Sequence, residues 1–154
     1  MIIVSSCLAG MKVRYNGTDC PDEIVKRLID EKKAIPVCPE LLGGFGTPRE
    51  PAEIFGGTGE DVLDGRARVM SKSGEDVSGM YVKGAYETLR VVKESGATAI
   101  VLKEFSPSCG SSRIYDGSFG NRKIAGNGVT AALLKREGFA VLSENDSLLS
   151  YLED

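Results

Sequence analysis

The chain has 154 residues, 42% of them hydrophobic and 27% charged, with a formal net charge of -3. That length suits one domain with an ordinary core, and the small net charge argues against a protein whose main partner is a nucleic-acid backbone. No apolar stretch is long enough to span a bilayer, and there is no histidine, which removes Ser-His-Asp and Cys-His catalysis and imidazole metal ligands.

Met1 leads directly into the apolar run Ile2-Ile3-Val4, so no secretory leader is expected and the expected compartment is the cytoplasm, where thiols stay reduced. After this first strand, Ser5 to Gly17 reads as a polar, glycine-bearing loop. Pro21 to Lys32 reads as an amphipathic helix with Ile24, Val25, Leu28 and Ile29 at helical spacing and Asp19 as a candidate N-cap. Ala34-Ile35-Pro36-Val37 is a second strand. Pro39 to Pro51, dense in Gly and Pro, is expected to be a loop, and Glu53 to Met70 to be irregular with one or two short β-segments. Asp76 or Ser78 is placed to cap a helix from about Val77 to Ser95, with Val77, Met80, Tyr81, Leu89 and Val92 toward the core and Gly96 ending it. A strand over Thr98–Leu102, a long loop from Lys103 to about Ala125, a helix from Asn127 to Glu137, a strand from Phe139 to Leu142 and a short helix from Asp146 to Leu152 complete the chain. Alternating strands and helices predict a single α/β domain over residues 1–154. Its expected architecture is Rossmann-like, a largely parallel sheet of about four strands with helices on both faces.

Cys7, Cys38 and Cys109 each follow the end of a predicted strand. In an open parallel sheet those ends share one edge, where ligands bind. A single free cysteine is most often a small buried hydrophobe; three at equivalent strand ends in a reducing compartment point to a shared metal site. No local C-x-x-C spacing identifies the metal. Cys20 opens a helix and reads as structural. Glu40, two residues past Cys38, is a candidate general base. Ser106 and Ser108 put two hydroxyls beside Cys109. The segment from Cys7 to Arg14 is one residue too long for a Cys-x5-Arg phosphatase loop.

The ordered motifs Cys7-Leu8-Ala9-Gly10, Arg14-Tyr15-Asn16-Gly17, Pro36-Val37-Cys38-Pro39-Glu40, Gly43-Gly44, Thr47-Pro48-Arg49, Pro51-Ala52-Glu53-Ile54, Ser106-Pro107-Ser108-Cys109-Gly110 and Tyr115-Asp116-Gly117-Ser118-Phe119 resemble the thiouracil desulfidase (TudS) family, formerly a domain of unknown function. The likeness extends to Gly128-Val129-Thr130. It implies a [4Fe-4S] cluster held by Cys7, Cys38 and Cys109, a catalytic glutamate at Glu40 and a catalytic serine, best matched by Ser106, with Ser108 as the other candidate. It also implies non-redox removal of sulfur from thiouracil-type bases or 4-thiouridine monophosphate, giving the uracil form and hydrosulfide. Asn16 stands where the family commonly has Asp. Arg14, Arg49, Lys103 and Arg113 lie in loops expected at the same edge and are candidate phosphate-binding residues for a nucleotide substrate. The expected partner is therefore a small thiolated pyrimidine or its nucleotide, with no membrane and no nucleic acid. Two other readings exist: a non-catalytic iron–sulfur or zinc-binding sensor module, and a cysteine-nucleophile enzyme using Cys109 alone.

Overall fold

A computed structural model describes residues 1–18, 21–148 and 151. Four parallel strands, β1 (Ile2–Ser5), β2 (Ala34–Val37), β5 (Ala99–Leu102) and β8 (Ala140–Ser143), form the sheet in the order β2-β1-β5-β8. The chain leaves β1 toward β2 on one side and leaves β5 toward β8 on the other. Their carboxyl ends therefore flank a crevice at the point where the winding direction changes. Pro36 is tolerated because β2 lies at the sheet edge, where one face of the backbone needs no ladder partner.

The two-residue period of the strands sorts their side chains onto two faces. Ile35, Ile3, Ile100 and Val141 are in register across the sheet and belong to one core, which also takes in Tyr81, Ala85, Leu89, Val92, Leu133 and Leu134. Val4, Val101 and Leu142 point the other way, into a second core with Val25 and Leu28. The first core is covered by α4 (Ser78–Ser95) and α5 (Val129–Arg136), the second by α1 (Glu23–Asp30). This is the α/β architecture with helices on both faces that the strand–helix alternation predicts.

Several local features differ from expectation. The N-cap of α1 is Asp22, whose Oδ1 accepts from the backbone N–H groups of Ile24 (3.0 Å) and Val25 (3.1 Å); the candidate Asp19, like Cys20, lies outside the described residues. The stretch Pro39–Pro51 opens with one helical turn, α2 (Pro39–Leu42), because Pro39 has the φ of a first helical position. Glu53 to Met70 is more ordered than its glycines suggest. Strands β3 (Ala52–Phe55) and β4 (Arg68–Ser71) pair antiparallel around a short helix, α3 (Gly59–Leu63). Asp61 starts that helix by accepting from Thr58 N–H at 2.9 Å. Within the expected loop from Lys103 to Ala125 lies a second antiparallel pair, β6 (Arg113–Tyr115) and β7 (Lys123–Ala125). α5 begins at Val129 with Gly128 as its N-cap. The helix expected from Asp146 to Leu152 lies partly outside the described residues.

The contact that matters most for the site is the crossing of α2 and α4. A Cβ at Gly84 would run into the Pro39 carbonyl, and one at Gly43 into the Met80 carbonyl, so the two backbones touch directly. Gly84→Ala should lower stability by about 1–3 kcal/mol through overpacking. The gain of about 1 kcal/mol in helix propensity cannot offset this, because the clash is with backbone. Urea denaturation of the variant checks it.

Candidate functional site

A cavity of about 360 Å³ opens at the carboxyl ends of β1, β2 and β5, and Cys7, Cys38 and Cys109 all line it. Each sulfur arrives by a different local device. Cys7 sits in a 3-10 turn (Ser6–Ala9) that continues β1 and ends at Gly10, whose φ of +90° a side chain would disfavour. Cys38 is the N-cap of α2. Cys109 lies in a turn organised by Ser106, whose Oγ accepts from the backbone N–H of Ser108 (3.1 Å) and of Cys109 (2.6 Å). The ends of β1 and β5 are tied by Lys103 N–H donating to Ser5 Oγ at 3.0 Å.

Desolvation raises the thiol pKa of both Cys38 and Cys109. Further upward pushes on Cys109 come from the negative charge of Glu40 and from the Cys38 and Cys7 sulfurs, with the Ser106 hydroxyl pulling the other way. Buried thiols that oppose one another's ionisation favour a cation among them, since binding replaces their protons with positive charge. Among the described residues, no three ligating side chains are close enough to hold a single metal ion. Three cysteine sulfurs lining one cavity fit an iron–sulfur group, which thiolates bind.

Glu40 also lines the cavity. Its Oε2 accepts from Arg49 Nε (3.1 Å) and from the Tyr81 hydroxyl (3.0 Å), and lies 3.0 Å from Arg49 Nη2. The Glu40 and Arg49 side chains are only 12% and 8% exposed, so this is an ion pair largely withdrawn from water. Arg49 Nη1 continues to the carbonyls of Val13 (3.0 Å) and Gly46 (3.3 Å), which clamps the loop between α2 and β3.

The other candidates separate clearly. Ser106 lines the cavity; Ser108 is buried and hydrogen-bonded to Thr130 Oγ1 at 2.7 Å, and is not among the lining residues. Of the four candidate cations, Arg14, Arg49 and Lys103 line the cavity and Arg113 does not. Arg49 is engaged by Glu40, and Lys103 by Glu144 at 2.8 Å. Arg14 makes no ion pair among the described residues.

Three carboxylate and phenol contacts escape sequence reading. Tyr81 has helical spacing that places it in the core, and its ring is there, but its hydroxyl reaches Glu40. Glu53 Oε1 accepts from Gly117 N–H (3.0 Å) and Phe119 N–H (3.2 Å), pinning the loop that carries Phe119 and Asn121 to the cavity wall. Glu104 Oε1 accepts from the N–H groups of Ser111 (2.8 Å), Ser112 (3.0 Å) and Arg113 (3.2 Å), and Oε2 from Ser112 Oγ (2.8 Å). Residues holding loop backbone in this way carry no local signature, because their partners are distant in sequence or fixed by the turn.

Burial alone would raise the Glu104 pKa, but these donors outweigh it and hold the carboxyl below the usual range. A depressed folded-state pKa adds stability above the unfolded value, and this is lost as pH falls through the folded one. Glu104→Gln should therefore cost about 1.5–3 kcal/mol near neutral pH, the worth of hydrogen bonds to a charged acceptor. The difference from wild type should shrink in acid. Denaturant curves at the two conditions test both parts.

The site thus defines a class: an α/β protein with three strand-end cysteines and a partly buried, ion-paired glutamate around one pocket, and no histidine. The chain belongs to the 2-thiouracil desulfurase family, which it matches over residues 2–146. It is 60% identical over 146 residues to the uncharacterized protein YbbK of Bacillus subtilis (strain 168), covering 95% of this chain and 97% of that one. A solved structure described as a [4Fe-4S]-dependent thiouracil desulfidase, TudS, is 41% identical and superposes with a TM-score of 0.84, covering 98% of this chain and 94% of the other. Among the described residues, no helix is long and apolar enough to cross a membrane.

Proposed function

We propose that this chain is a [4Fe-4S]-dependent desulfidase for thiouracil-type pyrimidines, with Cys7, Cys38 and Cys109 holding the cluster. The observation that carries this reading is the arrival of these three sulfurs and the Glu40 carboxylate, from three strand ends, at one cavity. When bound, a cluster with three protein thiolates supplies an iron open to a soft thiocarbonyl sulfur, as a Lewis acid.

The chain's own residues supply the rest. Glu40 takes a proton from a water that attacks the ring carbon, and the water oxygen replaces sulfur there. Sulfur departs as hydrosulfide, so atoms balance with no electron transferred. Ser106 Oγ already accepts two backbone N–H groups, so its remaining capacity is to donate. That single donation goes to the Cys109 sulfur, and with substrate present it turns to a ring acceptor instead. Glu53 holds the Phe119 loop that forms one side of the cavity.

Arg14, the lining arginine without an ion-pair partner among the described residues, is suited to a phosphate. This favours a thiolated uridine monophosphate over the free base. The test is anaerobic reconstitution followed by Mössbauer spectroscopy, then kcat/KM for 2-thiouracil, 4-thiouracil, 4-thiouridine and 4-thiouridine monophosphate. Turnover with a cluster present supports the desulfidase; a folded protein that takes up no cluster overturns it. A cluster with no turnover of any thiolated pyrimidine leaves the sensor module instead. Equal efficiency for base, nucleoside and nucleotide removes the phosphate site alone.

A further inference from the structure

We infer that Tyr81 is a positioning residue that selects which oxygen of Glu40 acts on the substrate, an inference that rests on Glu40 being the base. Every donor that reaches the Glu40 carboxylate among the described residues reaches the same atom. Arg49 Nε, Arg49 Nη2 and the Tyr81 hydroxyl all lie 3.0–3.1 Å from Oε2. Oε1 receives none of them, so its lone pairs are the ones available to the cavity that Glu40 lines.

This asymmetry requires Tyr81. The last torsion of a glutamate is broad and roughly two-fold, so the two oxygens exchange readily unless something distinguishes them. Arg49 approaches from the loop between α2 and β3 and is itself held by the Val13 and Gly46 carbonyls. Tyr81 approaches from α4, a separate element, and supplies the third donor. Donors from two independently anchored elements fix both the position and the plane of the carboxylate, which one guanidinium does not.

The fold holds Tyr81 firmly in this role. It is 3% exposed, and its ring packs against Phe45 at 5.1 Å between centroids. One turn further along α4, Gly84 lies against the carbonyl of Pro39, the residue preceding Glu40. The backbone contact between α2 and α4 therefore sets the hydroxyl-to-carboxylate distance. A buried hydroxyl without a partner would be costly, so Tyr81 and Oε2 keep each other in place.

The experiment compares wild type with Tyr81→Phe, which removes one oxygen and keeps the ring. Both are reconstituted anaerobically and read for iron per chain, kcat and KM. A separate infrared measurement on the cluster-free proteins isolates the Glu40 carboxylate bands by difference against Glu40→Gln. The expected result is unchanged iron and KM within about twofold. kcat should fall about tenfold or more, the scale on which small misplacements of a reacting group act. The antisymmetric carboxylate stretch should shift as Oε2 loses a donor. A kcat within about twofold of wild type overturns the inference, as does a loss of activity that merely follows lost iron or raised KM. If wild type turns over no thiolated pyrimidine, the desulfidase reading fails separately. The infrared bands then decide the Tyr81–Glu40 contact, with an unshifted stretch overturning it.

Discussion

Cys38→Ser is expected to leave the protein folded, unable to retain iron, and at background activity. Cys38 is only partly buried and caps a helix of a single turn, so an isosteric hydroxyl costs the fold little. Its role as a ligand is another matter. A serine hydroxyl is a harder donor and far less acidic than a thiol, so it binds iron of a sulfide cluster poorly. The loss should be all-or-none because each cysteine comes from a different strand end and none of the described neighbours offers a replacement thiol. Cys7→Ser and Cys109→Ser should behave alike, whereas an enzyme that used Cys109 alone as nucleophile would keep its activity in Cys7→Ser. Iron and sulfide content, with the visible absorption of the reconstituted protein, provides the measurement.

Glu40→Gln should lower kcat by about a hundredfold to ten-thousandfold, the usual contribution of a general base, while leaving the cluster spectrum intact. The amide is nearly the same size as the carboxylate, so α2 and the Cys38 backbone need not move. It cannot accept a proton from water, and it no longer neutralises Arg49, which is 8% exposed. Breaking a buried ion pair on one side is itself destabilising by about 3–5 kcal/mol, so the variant should also melt earlier than wild type. Separating the two consequences is straightforward. Iron content and the denaturation midpoint report the fold, and single-turnover rates on loaded protein report the base. If loaded Glu40→Gln keeps wild-type rates, Glu40 is structural and the base lies elsewhere.

Two of the cations that loop position made candidates for a phosphate have other partners. Of the basic residues expected to meet a phosphate, Arg49 is committed to Glu40 and Lys103 to Glu144. Lys123, absent from those expectations, stands 4.1 Å over the Phe105 ring. The cavity rim also holds three non-glycine residues at positive φ: Phe105 at 75°, Phe119 at 58° and Asn121 at 61°. Such conformations cost energy and persist where surrounding contacts enforce them, commonly beside ligand sites. Here Glu53, through Phe119 N–H, is one of those contacts.

The four sheet strands, α4 and α5 over the first core and α1 over the second were legible because their signals are local. Two-residue and 3.6-residue periods repeat within a few residues, and alternation with helices implies parallel strands; the order β2-β1-β5-β8 was decided by the tertiary structure alone. The positions of Cys7, Cys38 and Cys109 just beyond strand ends were legible for the same reason, and Glu40 was marked by its nearness to Cys38. Short β-segments were expected between Glu53 and Met70, but their antiparallel pairing as β3–β4 was not, and β6–β7 lay unseen in the expected loop from Lys103 to Ala125; glycines between the strands mask the pattern, and long-range pairing rather than local preference stabilises them. Only the tertiary structure decided between Ser106 and Ser108 as the hydroxyl lining the cavity, since two serines in one turn differ only in which way the turn aims them. It alone paired Glu40 with Arg49 and with Tyr81, 41 positions along the chain. Sequence pattern records which side chains face inward; which two polar atoms meet there depends on how separate elements cross, and here that was set by two glycines where α2 touches α4.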